Sequence, residues 1–207
     1  MSNMNNKRCI IIGAGQFSED KIPLTDNDYI IAADGGYNYA MKLGIKPDLL
    51  IGDFDSLSYI PKDIMMEKHP AMKDDTDMML AVKKAISLGY GEIELYGALG
   101  GDRIDHSLAN IAILKYCLDK DVKAVIKDKN LNMIAIRNSY ITINGRECGY
   151  ISIFAMDNVS SHVTIKGLKY EIEDATLYNS IPLGVSNEFV GRDAYIEVLD
   201  GTLLIVY

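Results

Sequence analysis

Cysteine, histidine and tryptophan are scarce in this chain, and each scarcity excludes something. Cys9, Cys117 and Cys148 are odd in number and widely spaced. That speaks against a disulfide framework or a structural zinc site. His69, His106 and His162 are too scattered for a histidine-based metal cluster. Basic residues are outnumbered: the formal charge is −8, so the positive footprint of a nucleic-acid binder is missing. No run of 18 apolar residues occurs, which argues against a helical membrane span. The first residues, Met1 to Lys7, are polar and carry no apolar signal-peptide core, so a reducing cytoplasm is the expected location. What is left is a globular composition over 207 residues, enough for one large domain or two small ones.

The first part of the chain alternates strands and helices. Cys9–Ile12, Tyr29–Ala33, Leu49–Ile51, Ile93–Tyr96 and Val122–Ile126 read as short buried strands. Between them, Tyr37–Leu43 (stopped by Gly44), a segment capped by Asp75 or Thr76, and Asp105–Leu118 read as helices. This alternation predicts a parallel sheet covered by helices. After about Asp128 the pattern changes to period two, with short strands at 132–136, 140–143, 150–154, 163–165, 170–172, 195–199 and 203–207. Asn144-Gly145 and Asp200-Gly201 read as hairpin turns. The expected fold is an N-terminal α/β domain, residues 1–132, followed by a C-terminal antiparallel β-sandwich, residues 133–207.

The polar residues concentrate where the expected parallel strands end. Gly52-Asp53-Phe54-Asp55-Ser56 follows an apolar strand. Carboxylates at i and i+2 in extended chain project to one side and repel unless a cation lies between them. Oxygen ligands of this kind suit magnesium or manganese. The plainer reading is an acidic turn with Ser56 as a helix cap, and the motif alone does not choose. Gly13-Ala14-Gly15 reads as a tight turn whose amides approach phosphate, or as a purely structural turn. Asp34-Gly35-Gly36 offers amides beside a helix start, suited to an anion or a ribose. Lys73-Asp74-Asp75-Thr76-Asp77 has more acids than capping needs, which assigns Asp77 to metal and Lys73 to phosphate. In the loop from Gly97 to His106, Gly100 allows close backbone approach, Arg103 suits a phosphate, and Asp105 adds a further acid. Asn110 faces the same crevice or solvent. His106 reads as an ordinary helix residue. Loops that follow the strands of one parallel sheet gather at its carboxyl edge. Asp53, Asp55 and Asp77 would there surround a cation, with Lys73 and Arg103 at the rim. No Gly-x-x-x-x-Gly-Lys-Ser/Thr loop exists, so this is not an ordinary P-loop enzyme.

In order and spacing, Asp34-Gly35-Gly36, Gly52–Ser56, Lys73–Asp77, Gly100–His106 and Ser186-Asn187-Glu188 resemble the thiamine pyrophosphokinase family. The resemblance covers essentially the whole chain, with Asp102 interrupting the usual glycine–glycine–arginine triplet. It implies transfer of the pyrophosphoryl group of ATP to the hydroxyethyl oxygen of thiamine, giving thiamine diphosphate and AMP. It also implies a homodimer of α/β and β-sandwich domains, with active sites at the subunit interface. Asp53, Asp55 and Asp77 match the family's metal-site acids, which take magnesium, and Asp105 matches a further functional acid. Ser186 and Asn187 match the segment that meets the thiamine pyrimidine. Two other readings compete. A metal-dependent nucleotide-sugar transferase would also use an Asp-x-Asp pair, and a non-catalytic nucleotide-sensing protein would use the same loops without turnover.

Overall fold

In a computed structural model, residues 7–16, 21–54, 63–70 and 74–207 are described. The chain divides into two units, Met1–Lys129 and Asn130–Tyr207.

The first unit is built on six parallel strands. They are β1 (Arg8–Ile12), β2 (Tyr29–Ala33), β3 (Leu49–Gly52), β4 (Met65–Lys68), β5 (Glu92–Tyr96) and β6 (Lys123–Asp128). Their order across the sheet is β6-β5-β1-β2-β3-β4. The central strands are apolar and β-branched because both of their faces are covered, as parallel sheets require. In β1 the four residues Cys9–Ile12 are fully buried. Three helices cover the sheet: α1 (Gly36–Lys42), α2 (Asp77–Ser87) and α3 (Ile104–Leu118). Ile10, Ile12, Ile30 and Tyr96 share one apolar cluster with Ala40 of α1. Thr76, not Asp75, caps α2: its hydroxyl accepts from the amide of Met79 at 3.2 Å. Asp75 instead receives the ammonium of Lys83. The half-exposed edge strand β4 had no sequence signal, since Met-Met-Glu-Lys carries no β-branched run.

A charged cluster lies inside this unit. Glu94 of β5 is buried and accepts from Arg8 at 3.0 Å, Lys127 at 2.9 Å and the Tyr96 hydroxyl at 3.0 Å. Burial pushes the Glu94 carboxyl up, but Lys127, Tyr96 and Arg8 outweigh it and hold it below the usual range. The same arginine also grips Asp28, so the network ties β1, β5 and β6 to the segment before β2.

The second unit is antiparallel throughout: β7 (Leu131–Ile143), β8 (Tyr150–Ala155), β9 (Val159–Lys166), β10 (Ile172–Tyr178), β11 (Gly184–Glu188) and β12 (Ala194–Val206). The expected boundary after residue 132 falls inside β7. Strand β12 pairs with β7 along most of its length, with β9 through Tyr195–Asp200 and with β8 through Leu203–Val206. It therefore passes from one layer to the other. Alternate residues (Ile151, Ile153, Val163, Ile165, Ile196, Val198, Leu203, Ile205) form one core.

Three expectations are corrected here. The pairs of short strands at 132–136 and 140–143, and at 195–199 and 203–207, are single strands, β7 and β12. Asp200-Gly201 is no hairpin. The register shifts between Val198 and Thr202, and the Gly201 amide donates to Asn138 Oδ1 at 2.9 Å. The turn-forming residues make a bulge that bends two long strands together. Asn144-Gly145 is not a hairpin either, because β7 and β8 each pair with β12 rather than with each other. The Gly145 amide donates to Asp193 instead.

All three cysteines are free. Cys9 and Cys117 are buried, and desolvation pushes both thiols up, that of Cys117 to about 12. Cys148 is exposed in the loop between β7 and β8. No helix among the described residues is long and apolar enough to cross a membrane.

Candidate active site

The sheet order reverses between β1 and β5. From β1 the chain runs outward to β2, β3 and β4, then crosses back to place β5 and β6 on the other side. Loops leaving strands on either side of such a point diverge and open a crevice at the carboxyl edge. A cleft of about 270 Å³ lies there, lined by Gly13 to Gly15, Ala33 and Asp34, Thr76 to Met78, Gly97 and Ala98, and Gly100 to Arg103, with His106 and Asn110 of α3.

The cleft collects Gly15, Asp34, Asp77, Gly100, Arg103 and Asn110 from the sequence-predicted set. Gly35, Gly36, Asp53 and Asp105 do not line it. Asp53 is half-buried just past the end of β3, one residue from the chain that touches Asp34. There the Asp34 amide donates to Ile51 O at 2.7 Å, and a Cβ on Gly52 would sit 3.2 Å from the Asp34 Cα. Asp55 and Lys73 lie outside the described residues. Asp102, Met78 and His106 line the cleft without having been picked out.

Several expected roles change once partners are visible. The amides of Gly13, Gly15 and Gln16 donate to the carbonyls of Tyr96, Gly97 and Leu99, each at 2.8 Å. These amides extend the β1–β5 pairing and do not point at a phosphate. Gly15 is required by that close approach, since a Cβ there would fall 2.6 Å from two of those carbonyl oxygens. Asn110 is buried, and its amide nitrogen donates to Ala98 O at 2.7 Å. In the second unit the Asn187 side chain is fully engaged. It donates to Tyr170 O at 2.7 Å and accepts from the Tyr170 amide at 3.0 Å and the Glu188 amide at 2.9 Å. The neighbouring Ser186 is exposed and takes a left-handed φ of 60°. Apart from the bond to Glu188, these bonds run between residues twelve or more positions apart, which is why no local pattern announced them.

Arg103 pairs with Asp105 through Nε at 2.9 Å and Nη2 at 2.6 Å, both side chains well exposed. The guanidinium hydrogen bonds hold the Asp105 carboxyl down at about 2. A depressed carboxylate contributes above its unfolded value and loses that contribution as pH falls through its folded one. The pair is therefore complete above 3.8, the ordinary value, and dissolves as pH falls toward about 2. Arg103→Ala is expected to return Asp105 to near 3.8, read by a carboxyl-carbon NMR titration.

No three His, Cys, Asp or Glu residues among the described ones are grouped closely enough to cage a metal. Magnesium does not need such a cage. It keeps water and substrate phosphate oxygens and takes one or two carboxylates. Asp77 in the cleft and Asp53 just past the end of β3 are hard oxygen donors of that kind, so the donor chemistry fits.

A parallel α/β unit with an acid- and glycine-lined cleft at its switch point, followed by an all-β unit, defines a two-domain enzyme of the phosphoryl-transfer class. The chain belongs to the thiamine pyrophosphokinase family: residues 23–126 match the thiamin pyrophosphokinase catalytic domain and residues 138–203 its vitamin B1 binding domain. The thiamine pyrophosphokinase of Bacillus subtilis (strain 168) is 27% identical over 183 residues, covering 85% of each chain. Solved structures share the fold. That of the Bacillus subtilis thiamine pyrophosphokinase superposes with a TM-score of 0.86 at 24% identity, covering 97% of this chain and 98% of that one. The Candida albicans thiamin pyrophosphokinase gives 0.76 at 17% identity, covering 98% and 89%.

Proposed function

We propose that this enzyme transfers the pyrophosphoryl group of ATP, with magnesium, to the hydroxyethyl oxygen of thiamine. The products are thiamine diphosphate and AMP. The observation that carries the reading is the cleft between β1 and β5, with Asp34, Asp77 and Arg103 on its walls, inside the span that matches the family's catalytic domain.

The thiamine oxygen attacks the β-phosphorus of ATP, and the bond from that phosphorus to the α-bridging oxygen breaks. Phosphoryl transfer of this kind asks for positioning and charge neutralisation more than for a dedicated nucleophile. Bound magnesium would neutralise the phosphate oxygens, and Asp53, Asp55 and Asp77 are the residues that would hold it, with Lys73 assigned to the phosphates. Arg103 joins them by exchanging one carboxylate partner, Asp105, for a phosphate. Asp77 accepts the hydroxyl proton as the new bond forms. Asp34, Gly35, Gly36 and Gly100 form the nucleotide side of the site. Ser186 meets the pyrimidine, and its exposed hydroxyl is free to do so, whereas Asn187 acts by fixing the Tyr170 main chain. A site rich in carboxylates also favours the cationic thiazolium. The working form is a homodimer in a cytoplasmic setting; sedimentation at twice the chain mass checks the dimer.

The deciding experiment incubates the protein with ATP, magnesium and thiamine and separates the products by chromatography. AMP and thiamine diphosphate in equal amounts are expected. Turnover of a UDP-sugar instead would favour the nucleotide-sugar transferase. Binding of ATP with no AMP release would favour a sensor.

A further inference from the structure

The segment from Gly97 to Arg103 supplies six of the residues that line the cleft, yet it belongs to neither a strand nor a helix. Its shape must be imposed from outside. One side is fastened to the loop after β1, through the carbonyls of Gly97 and Leu99. The other side is fastened to α3 by two side chains. Ser107 Oγ accepts from the Gly100 amide at 3.0 Å, and Asn110 Nδ2 donates to Ala98 O at 2.7 Å. Both residues are buried polar groups, 5% and 7% exposed. They stand three positions apart on α3, so they share one face of the helix. Where the fastenings end, Gly100, whose amide makes one of these bonds, and Gly101 next to it hold left-handed φ values of 72° and 78°. Two successive left-handed residues are an entropically costly conformation that collapses or fluctuates unless its ends are held.

We propose that Ser107 and Asn110 are positioning residues for the phosphate-bearing end of the nucleotide. They touch no substrate. They hold the Ala98–Gly100 main chain along the cleft wall, so that the triphosphate meets a preformed surface. This rests on the proposed function, and it assigns Asn110 to the loop rather than to the ligand. It also explains two polar side chains turned inward on a helix whose neighbouring buried positions, Ile113, Leu114 and Cys117, are apolar. Desolvating a hydroxyl and an amide is worthwhile only if each finds a hydrogen bond, and each finds one on this loop.

The test uses the full chain with Ser107→Cys, Ser107→Thr and Asn110→Leu. Cysteine keeps the size of Ser107 but accepts hydrogen bonds poorly. Threonine keeps the acceptor. Leucine keeps the size of Asn110 and removes the donor without adding a charge to the cleft. Calorimetric titration with ATP and with AMP is expected to show about tenfold weaker binding for Ser107→Cys and Asn110→Leu, the worth of one buried hydrogen bond. Ser107→Thr should bind within about twofold of the parent, and the KM for thiamine should stay within the same range in all three. A lower melting temperature with unchanged nucleotide affinity would overturn the proposal, because that is what a purely structural pair would give. The two readings fail separately. If the parent protein binds nucleotide but never forms thiamine diphosphate, the functional assignment falls and the affinity series still judges Ser107 and Asn110. If the parent turns over and the variants bind normally, only the positioning role falls.

Discussion

Replacing Asp77 by asparagine is expected to lower turnover of ATP and thiamine about a hundredfold or more while leaving the protein folded, the scale of one strong electrostatic contact in a closed site. The side chain lies in the first turn of α2 and lines the cleft. Asparagine is nearly isosteric, so the change removes a charge, and with it the proposed cation ligand, but little packing. The structural cost is small. An acid at a helix N-terminus contributes about 0.3–1 kcal/mol. Thr76 still caps the helix through Met79. The melting temperature should therefore fall by roughly 1–4 °C. Initial rates of AMP release across a magnesium titration, with calorimetric melting of both proteins, separate the two effects. Near-normal turnover at saturating magnesium would remove Asp77 from the chemistry.

Gly36→Ala is expected to be the most destabilising single-methyl change in the first unit. The added Cβ would fall 2.0 Å from the Ile12 carbonyl oxygen and 2.6 Å from its carbon. Ile12 cannot retreat, since β1 is held between β2 and β5 and the residue is fully buried. Either α1 lifts away from the sheet or the strands shift. Overpacking of this kind costs about 3 kcal/mol, and more when only backbone can move, which lowers melting by roughly 6–12 °C. Gly44→Ala is the control. Its φ of 69° is left-handed, unlike that of Gly36, but no atom lies within 4 Å of the added carbon. The loss there should be limited to about 1–2 kcal/mol of backbone strain. Equal losses at the two positions would show that α1 does not depend on the contact with Ile12.

The α/β half was legible because its strands are short apolar runs ended by glycine and aspartate, and those ends are also where ligands gather. That one rule put Gly15, Asp34, Asp77, Gly100 and Arg103 in one place before any coordinates. What it could not show was the partner of each group. Gly15 faces Gly97, Arg103 faces Asp105, and Asn187 faces Tyr170. The first and last of these are decided by packing between distant segments, and the Arg103–Asp105 pair, two residues apart, by side-chain rotamers that local propensity does not specify. The β half was read with the right period and the wrong lengths. Asn138 and Gly201 carry turn chemistry, yet together they form a bend within paired strands. A turn signal specifies a local backbone shape and does not say whether the chain reverses after it.

The thiols add a practical consequence. Alkylation needs an accessible thiolate. Those of Cys9 and Cys117 are sealed in the first unit with their ionisation suppressed, while Cys148 stands in solvent. A maleimide dye added to the native enzyme should thus attach at a single point, in the vitamin-binding half. The two sealed sulfurs would become reactive only on unfolding, so the number of labels per molecule would report the folded state of the catalytic half.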